Sequence, residues 1–236
     1  VTSVPSPAEP LPAVEPVEPD ARRSIALVVG VAATIAFVIL RIVVGLDDHK
    51  PLAMDTWWND LMLENRNDFW VAMAWIPGWG GGILGMIITA LVIVALFLLR
   101  RRWWDAANFT AALVIVVAIG APMAAVIARA RPDSSLAESV ATSFPSGHTA
   151  VATTVMITLA LLLRRWWLWV IGVVWIVWMM WSRTYLTAHW LSDVIAGLLE
   201  GIAVATLVWC VFEALRDRRA RKKLAPDDTP SVAPAS

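Results

Sequence analysis

The sequence predicts an all-α, polytopic membrane protein built as a six-transmembrane-helix bundle. Three observations lead there. The 236-residue chain is 59% hydrophobic with a mean hydropathy of +0.68, whereas apolar residues make up roughly half of an ordinary soluble domain. Its apolar residues gather into runs close to the ~20 residues a helix needs to cross the hydrocarbon core. The Lys and Arg residues collect in every second inter-run segment, as the orientation rule for membrane helices requires.

The first run covers about 24–46. It follows Arg22-Arg23, is too long for the core of a signal peptide and is closed by no small-residue cleavage site, so it reads as a retained anchor helix. The second covers about 82–99, or begins near Phe69 with a break at Pro77-Gly78. The third covers about 106–128, the fourth 146–163, the fifth 166–181 and the sixth 190–215. Residues 1–23 are rich in Pro, Ala, Glu and Val and read as a disordered tail around a membrane domain of 24–215. Residues 216–236 read as a basic, then Pro/Ala/Asp-rich and loose, C-terminal tail.

With the N-terminus in the cytoplasm, the cytoplasmic segments hold Arg22, Arg23, Arg100, Arg101, Arg102, Arg164, Arg165, Arg216, Arg218, Arg219, Arg221, Lys222 and Lys223. The other side holds Lys50, Arg66, Arg129, Arg131 and Arg183. This bias puts the protein in the cell membrane with both termini cytoplasmic. Trp57, Trp58, Trp103, Trp104, Trp166, Trp167, Trp181 and Trp190 fall near run ends, where interfacial tryptophan belongs. The formal net charge of zero gives no global field to attract nucleic acid. The single cysteine, Cys210, excludes an internal disulfide and reads as a small buried apolar residue.

Three polar clusters interrupt this chain, and the topology brings them to one face, the extracytoplasmic one. They are Arg131-Pro132; Pro145-Ser146-Gly147-His148; and Ser182-Arg183 with His189 and Asp193. Charged groups near hydrocarbon are functional candidates by default. Ser146 suits a helix N-cap, which leaves the Gly147 and His148 backbone N–H groups among the free donors of a first turn. Such a turn binds anions, and Gly147 lets a phosphate approach the backbone. His148 would stand beside it as a proton donor. Alone, this cluster reads equally as a plain capped helix start. His189 and Asp193 are four residues apart at a helix start, so the carboxylate can fix the ring tautomer and leave the other nitrogen as nucleophile. Arg183 offers a planar fork for phosphate oxygens. The competing reading of this cluster is an interfacial salt bridge without a substrate. A metal site fits poorly, since two histidines would share it with Arg131 and Arg183. The third histidine, His49, reads as a solvated loop residue. Glu200, seven residues past Asp193, reads as a protonated, hydrogen-bonded structural carboxyl or as part of a lipid pocket.

Order and spacing resemble the type 2 phosphatidic acid phosphatase (PAP2) family, the membrane branch of a superfamily that includes vanadium haloperoxidases. Its signature is K-x6-R-P, P-S-G-H and S-R-x5-H-x3-D. Arg131-Pro132 matches the end of the first part, and residues 145–148 match the second in full. Ser182-Arg183, His189 and Asp193 match the third. The resemblance implies a six-helix membrane bundle that hydrolyses a lipid phosphate without metal or other cofactor. His189 would be the nucleophile that becomes a phosphohistidine, Asp193 its orienting partner and His148 the general acid. Arg131, Arg183, Ser146 and Gly147 would form the phosphate cradle. The family lysine falls on Ala124, and Arg129 is the expected replacement in the cradle. Arg41 is a second candidate, read as snorkelling to the interface.

The implied partners are the bilayer and a lipid-phosphate substrate: a polyprenyl diphosphate, favoured on family grounds, a phosphatidate or a phosphatidylglycerophosphate. A phosphotransferase using the same phosphohistidine is the first alternative reading. A silent lipid-binding scaffold is the second.

Overall fold

The computed structural model describes residues 21–46, 48–137 and 142–224. The expected N-terminal tail up to residue 20 and the C-terminal tail from 225 lie outside the described residues. Among the described residues the fold is helical, in eight helices: α1 (Ala21–Leu46), α2 (Ala53–Glu64), α3 (Asp68–Gly80), α4 (Ile83–Leu99), α5 (Trp103–Ile127), α6 (Gly147–Leu163), α7 (Trp166–Tyr185) and α8 (Leu191–Leu224).

Every apolar run has become a helix, with three differences from the sequence reading. The second run is a broken pair, α3 and α4, bent by 50°. Pro77 does not make the break but lies inside α3. The helix stops at Gly81, whose N–H bonds the Pro77 carbonyl at 2.7 Å. Four glycines in five residues, Gly78 to Gly82, supply the breaking tendency instead. Next, α2 is a twelve-residue amphipathic helix that no span-length criterion detects. Finally, α8 runs on to Leu224, so residues 216–224 are helical where a loose tail was expected.

Four helices, α1, α5, α7 and α8, are long and apolar enough to cross a membrane, and the α3–α4 pair is a fifth candidate. The 17-residue α6 is apolar but shorter. This is a multi-pass membrane protein. Its outer surface carries apolar side chains suited to lipid, such as Ile25, Val28, Leu84, Leu91 and Val173, all at least half exposed.

α6 and α8 form the centre of the bundle. α1 packs on α8, α5 and α7 flank α6, α4 leans on α5, and α3 on α7. The central pair is tight because α8 turns Gly197 and Gly201 toward α6. A Cβ on Gly197 would lie 2.5 Å from the Ser146 carbonyl oxygen, and one on Gly201 would lie 2.5 Å from Thr153 Cβ and 2.6 Å from the Ala150 oxygen. Two glycines four residues apart let helix backbones approach this closely. At the end of the bundle where α6 and α8 begin, Phe37 of α1 stacks on Phe144, with ring centroids 6.4 Å apart.

Candidate active site

The three polar clusters meet at one end of the bundle. Arg131 follows the C-terminus of α5, and Ser146–His148 open α6. Arg183 lies in the last turn of α7, and His189 and Asp193 straddle the start of α8. Backbone bonds join the clusters: Ser143 N–H donates to the Arg129 carbonyl at 2.9 Å, and Ser146 N–H to the Asp193 carbonyl at 3.0 Å. The Phe144-Pro145 peptide between them is cis.

His189 is 4% exposed. Its Nδ1 lies 2.7 Å from the Ser143 carbonyl oxygen. A carbonyl can only accept, so Nδ1 carries the proton and Nε2 keeps its lone pair. That nitrogen faces Arg131 Nη1 at 3.3 Å, and Arg131 also donates to the Ala188 carbonyl. Burial, then the charges of Arg131, His148 and Arg183, push the His189 ring well below its ordinary pKa of 6.5. The ring is therefore neutral at pH 7. With His189 as the nucleophile expected from the sequence, hydrolysis should show no loss of kcat/KM through the ordinary histidine range, because this ring gains its proton only at a lower pH. A pH–rate profile from 7.5 to 5.5 checks this, and an acid limb centred at 6.5 or above would contradict it.

The sequence reading assigned the orienting contact of His189 to Asp193. The structure corrects it. Asp193 Oδ2 is 3.9 Å from His189 Nδ1, too long for a hydrogen bond, and the Ser143 carbonyl takes that proton instead. Asp193 is engaged elsewhere. Its Oδ2 accepts the Trp190 backbone N–H at 2.9 Å, closing the first turn of α8, and its Oδ1 accepts Arg129 Nη1 at 2.5 Å.

Arg129, expected as a phosphate ligand, is likewise turned to the protein. Its Nε donates to the His49 carbonyl at 3.1 Å. Nη1 meets Ser192 Oγ at 2.7 Å and Asp193 Oδ1 at 2.5 Å. Nη2 meets the Lys50 carbonyl at 3.0 Å and Asp55 Oδ2 at 2.7 Å. All five N–H donors of the guanidinium are used by protein acceptors, and the side chain is fully buried. This geometry does not put Arg129 in the cradle.

Arg183 is 2% exposed, with Nη2 donating to Ser182 Oγ at 3.2 Å. Ser182 in turn donates to the Ala74 carbonyl of α3 at 2.5 Å. A Cβ on Gly78 would run into Arg183 Nη2. The His148 ring donates to the Gly78 carbonyl, and both Arg131 and Arg183 are near enough to act on it electrostatically. The glycine-rich end of α3 thus supports both residues, which the sequence reading did not foresee. Ser146 is the N-cap residue of α6, but its hydroxyl pairs with Thr149 Oγ1 at 3.2 Å and caps no backbone N–H. A Cβ on Gly147 would meet nothing within 4 Å, so there is open space beside this residue on its Cβ side.

The other candidates lie apart. Arg41 places Nε 3.4 Å from Met123 Sδ, beside Ala124 but among none of the cluster residues. Glu200 is 2% exposed, and neither carboxylate oxygen has a hydrogen-bond partner, contrary to its reading as a hydrogen-bonded structural group. It packs on Gly120 of α5.

Sequence and structure comparisons agree on what the chain is similar to. The PAP2 superfamily model matches residues 105–217. An undecaprenyl-diphosphatase of Sulfolobus acidocaldarius is 30% identical over 142 residues, covering 57% of this chain and 66% of that protein. The match thus spans just under two thirds of that relative's length. The fold resembles the crystal structure of a transmembrane PAP2-type phosphatidylglycerolphosphate phosphatase from Bacillus subtilis. The TM-score is 0.70 at 21% identity, over 80% of this chain and 96% of that one.

Proposed function

Because residues 105–217 match the PAP2 superfamily model, we propose that the chain is an integral-membrane lipid phosphatase of that superfamily. It hydrolyses a lipid mono- or diphosphate through a phosphohistidine on His189, without a metal. The observation that carries this reading is the bonding of the His189 ring, which favours one neutral tautomer. Nδ1–H is held by the Ser143 carbonyl at 2.7 Å, and the Nε2 lone pair is directed into a group of Arg131, Arg183 and His148.

The chemistry follows from that arrangement. A phosphate seated between Arg131, Arg183 and the first-turn backbone N–H of Gly147 has its charge spread over guanidinium and amide donors. Nε2 attacks phosphorus, and the P–O bond to the lipid side breaks. Its electron pair goes to the leaving oxygen, which takes a proton from His148. Water then gives a proton back to His148 and attacks phosphorus. The P–N bond breaks with its electron pair returning to Nε2, and inorganic phosphate leaves. Ser146 supports the turn through Thr149. The sixth span in this reading is α6, with its N-terminus at the site. The Lys/Arg distribution favours an extracytoplasmic site and cytoplasmic termini. The name of the Sulfolobus relative favours a polyprenyl diphosphate over a glycerolipid phosphate.

Purified protein in detergent with excess chelator should release inorganic phosphate from at least one of a polyprenyl diphosphate, a phosphatidate and a phosphatidylglycerophosphate. No release from any of them, with or without chelator, would overturn the reading. A phosphorylated alcohol formed in place of free phosphate would reassign the enzyme as a phosphotransferase.

A further inference from the structure

We propose that Asp55 and Arg129 form a buried clamp that positions His189 and Asp193, and that Asp55 is a positioning residue of the active site. For its chemical consequence the proposal rests on the hydrolase reading above.

The clamp begins outside the family motifs. Asp55 lies on the short helix α2, 137 residues before Ser192 in the first turn of α8, and is fully buried. Its two carboxylate oxygens receive four donors. Oδ1 accepts Ser192 N–H at 2.7 Å. Oδ2 accepts Ser192 Oγ at 2.8 Å, Arg129 Nη2 at 2.7 Å and Leu52 N–H at 2.9 Å. Ser192 immediately precedes Asp193, so Asp55 holds the first turn of α8 by both backbone and side chain. Arg129 then joins Asp55 to Asp193 with 2.7 and 2.5 Å contacts.

Arg129 reaches His189 by two routes. Its guanidinium fixes Asp193, whose Oδ2 holds the N–H of Trp190, the residue after His189, at 2.9 Å. Its own carbonyl holds Ser143 N–H at 2.9 Å, and the Ser143 carbonyl takes the Nδ1 proton of His189. Asp193 and His189 are not hydrogen-bonded, their nearest side-chain N and O atoms being 3.9 Å apart, so their relative placement is set through this shared scaffold. Ala124 stands where the family pattern has a lysine, and the nearby arginine has been committed to the scaffold instead of the substrate.

The charge arithmetic favours a structural test at Asp55 over one at Arg129. Removing Arg129 would strand two buried carboxylates, and breaking a buried pair this way is strongly destabilising. Asp55→Asn leaves Arg129 and Asp193 as a balanced pair. The amide, however, offers one acceptor oxygen and turns an NH2 group toward donors, so at least one hold on Ser192 or Arg129 is lost.

The experiment compares folded, purified wild type, Asp55→Asn, Asp193→Asn, the double variant and Arg131→Ala. The clamp predicts that Asp55→Asn lowers kcat about 10- to 100-fold, since small misplacements of reacting groups cost this much, with KM changed less than threefold. Arg131→Ala should raise KM. The Asp55→Asn and Asp193→Asn losses should not multiply, because both act on one scaffold. Independently of turnover, 15N spectra of the three labelled histidines, assigned with His189→Asn, should show His189 as one Nδ1–H tautomer in wild type and as a mixture in Asp55→Asn. An unchanged tautomer overturns the clamp whether or not the wild type is active. An unchanged kcat, or multiplicative losses, in an active enzyme would do so too. A wild type with no activity but with the tautomer shift would sink the hydrolase reading alone.

Discussion

His189→Asn should lower lipid-phosphate hydrolysis by about 10⁴-fold or more, equivalent to ~5.5 kcal/mol of transition-state stabilisation, and leave the bundle folded. Asparagine is the informative replacement. Its side-chain NH2 can take over the bond that His189 Nδ1 makes to the Ser143 carbonyl at 2.7 Å, so the buried acceptor keeps a partner and the 4%-exposed site keeps its packing. Only Nε2, the proposed nucleophile, is lost. Residual turnover would come from the Arg131 and Arg183 cradle acting on direct attack by water, as binding and charge stabilisation persist when a nucleophile is removed. A base-stable, acid-labile phosphoryl label should be trapped on wild type after a brief reaction with 32P-labelled substrate and be absent from the variant. Undiminished hydrolysis by His189→Asn would remove the phosphohistidine mechanism, whatever the substrate.

The residues that touch the proposed phosphate were legible in the sequence because they are polar groups in apolar surroundings at fixed spacing. Arg131, His148, Arg183 and His189 stood out for that reason, and the bundle brings them together at one end. The residues that hold them were not legible. Asp55 lies in a twelve-residue helix that a search for membrane-length runs passes over, and nothing in its local sequence points to Arg129. Gly78 was read as part of a break, yet its carbonyl serves His148 and its missing side chain makes room for Arg183. The Asp193 contact shows a further limit. Helical spacing of four residues puts His189 and Asp193 on one face, but whether they bond depends on competitors from other helices. Arg129 and the Trp190 N–H occupy the carboxylate first. The one retrievable signal was Gly197-Leu198-Leu199-Glu200-Gly201, a small-residue spacing that marks close helix packing.

That spacing carries the second large effect. Gly197→Ala should lower activity about 100-fold and lower thermal stability as well, although the added methyl group touches no substrate. Two terms oppose each other. Alanine in place of glycine within a helix gains roughly 1 kcal/mol in propensity. Against it, the new Cβ would lie 2.5 Å from the Ser146 carbonyl oxygen and 3.1 Å from Ala150 N. Those are backbone atoms and cannot rotate away, and overpacking of this kind typically costs 1–3 kcal/mol. The net loss is therefore modest for folding. Its geometric consequence is larger, because relief requires α8 to move away from the first turn of α6. Ser146 N–H bonds the Asp193 carbonyl at 3.0 Å, so the same shift separates His148 on α6 from His189 before α8, the proposed acid and nucleophile. Displacements of about 1 Å between reacting groups can cost 100-fold. Gly120→Ala is the matched control: its Cβ would come no closer than 3.3 Å, to a Glu200 side-chain oxygen, and it lies on α5, away from the α6–α8 seam. If kcat of Gly197→Ala matched that of the control, the spacing of α6 and α8 would not govern the placement of His148 and His189.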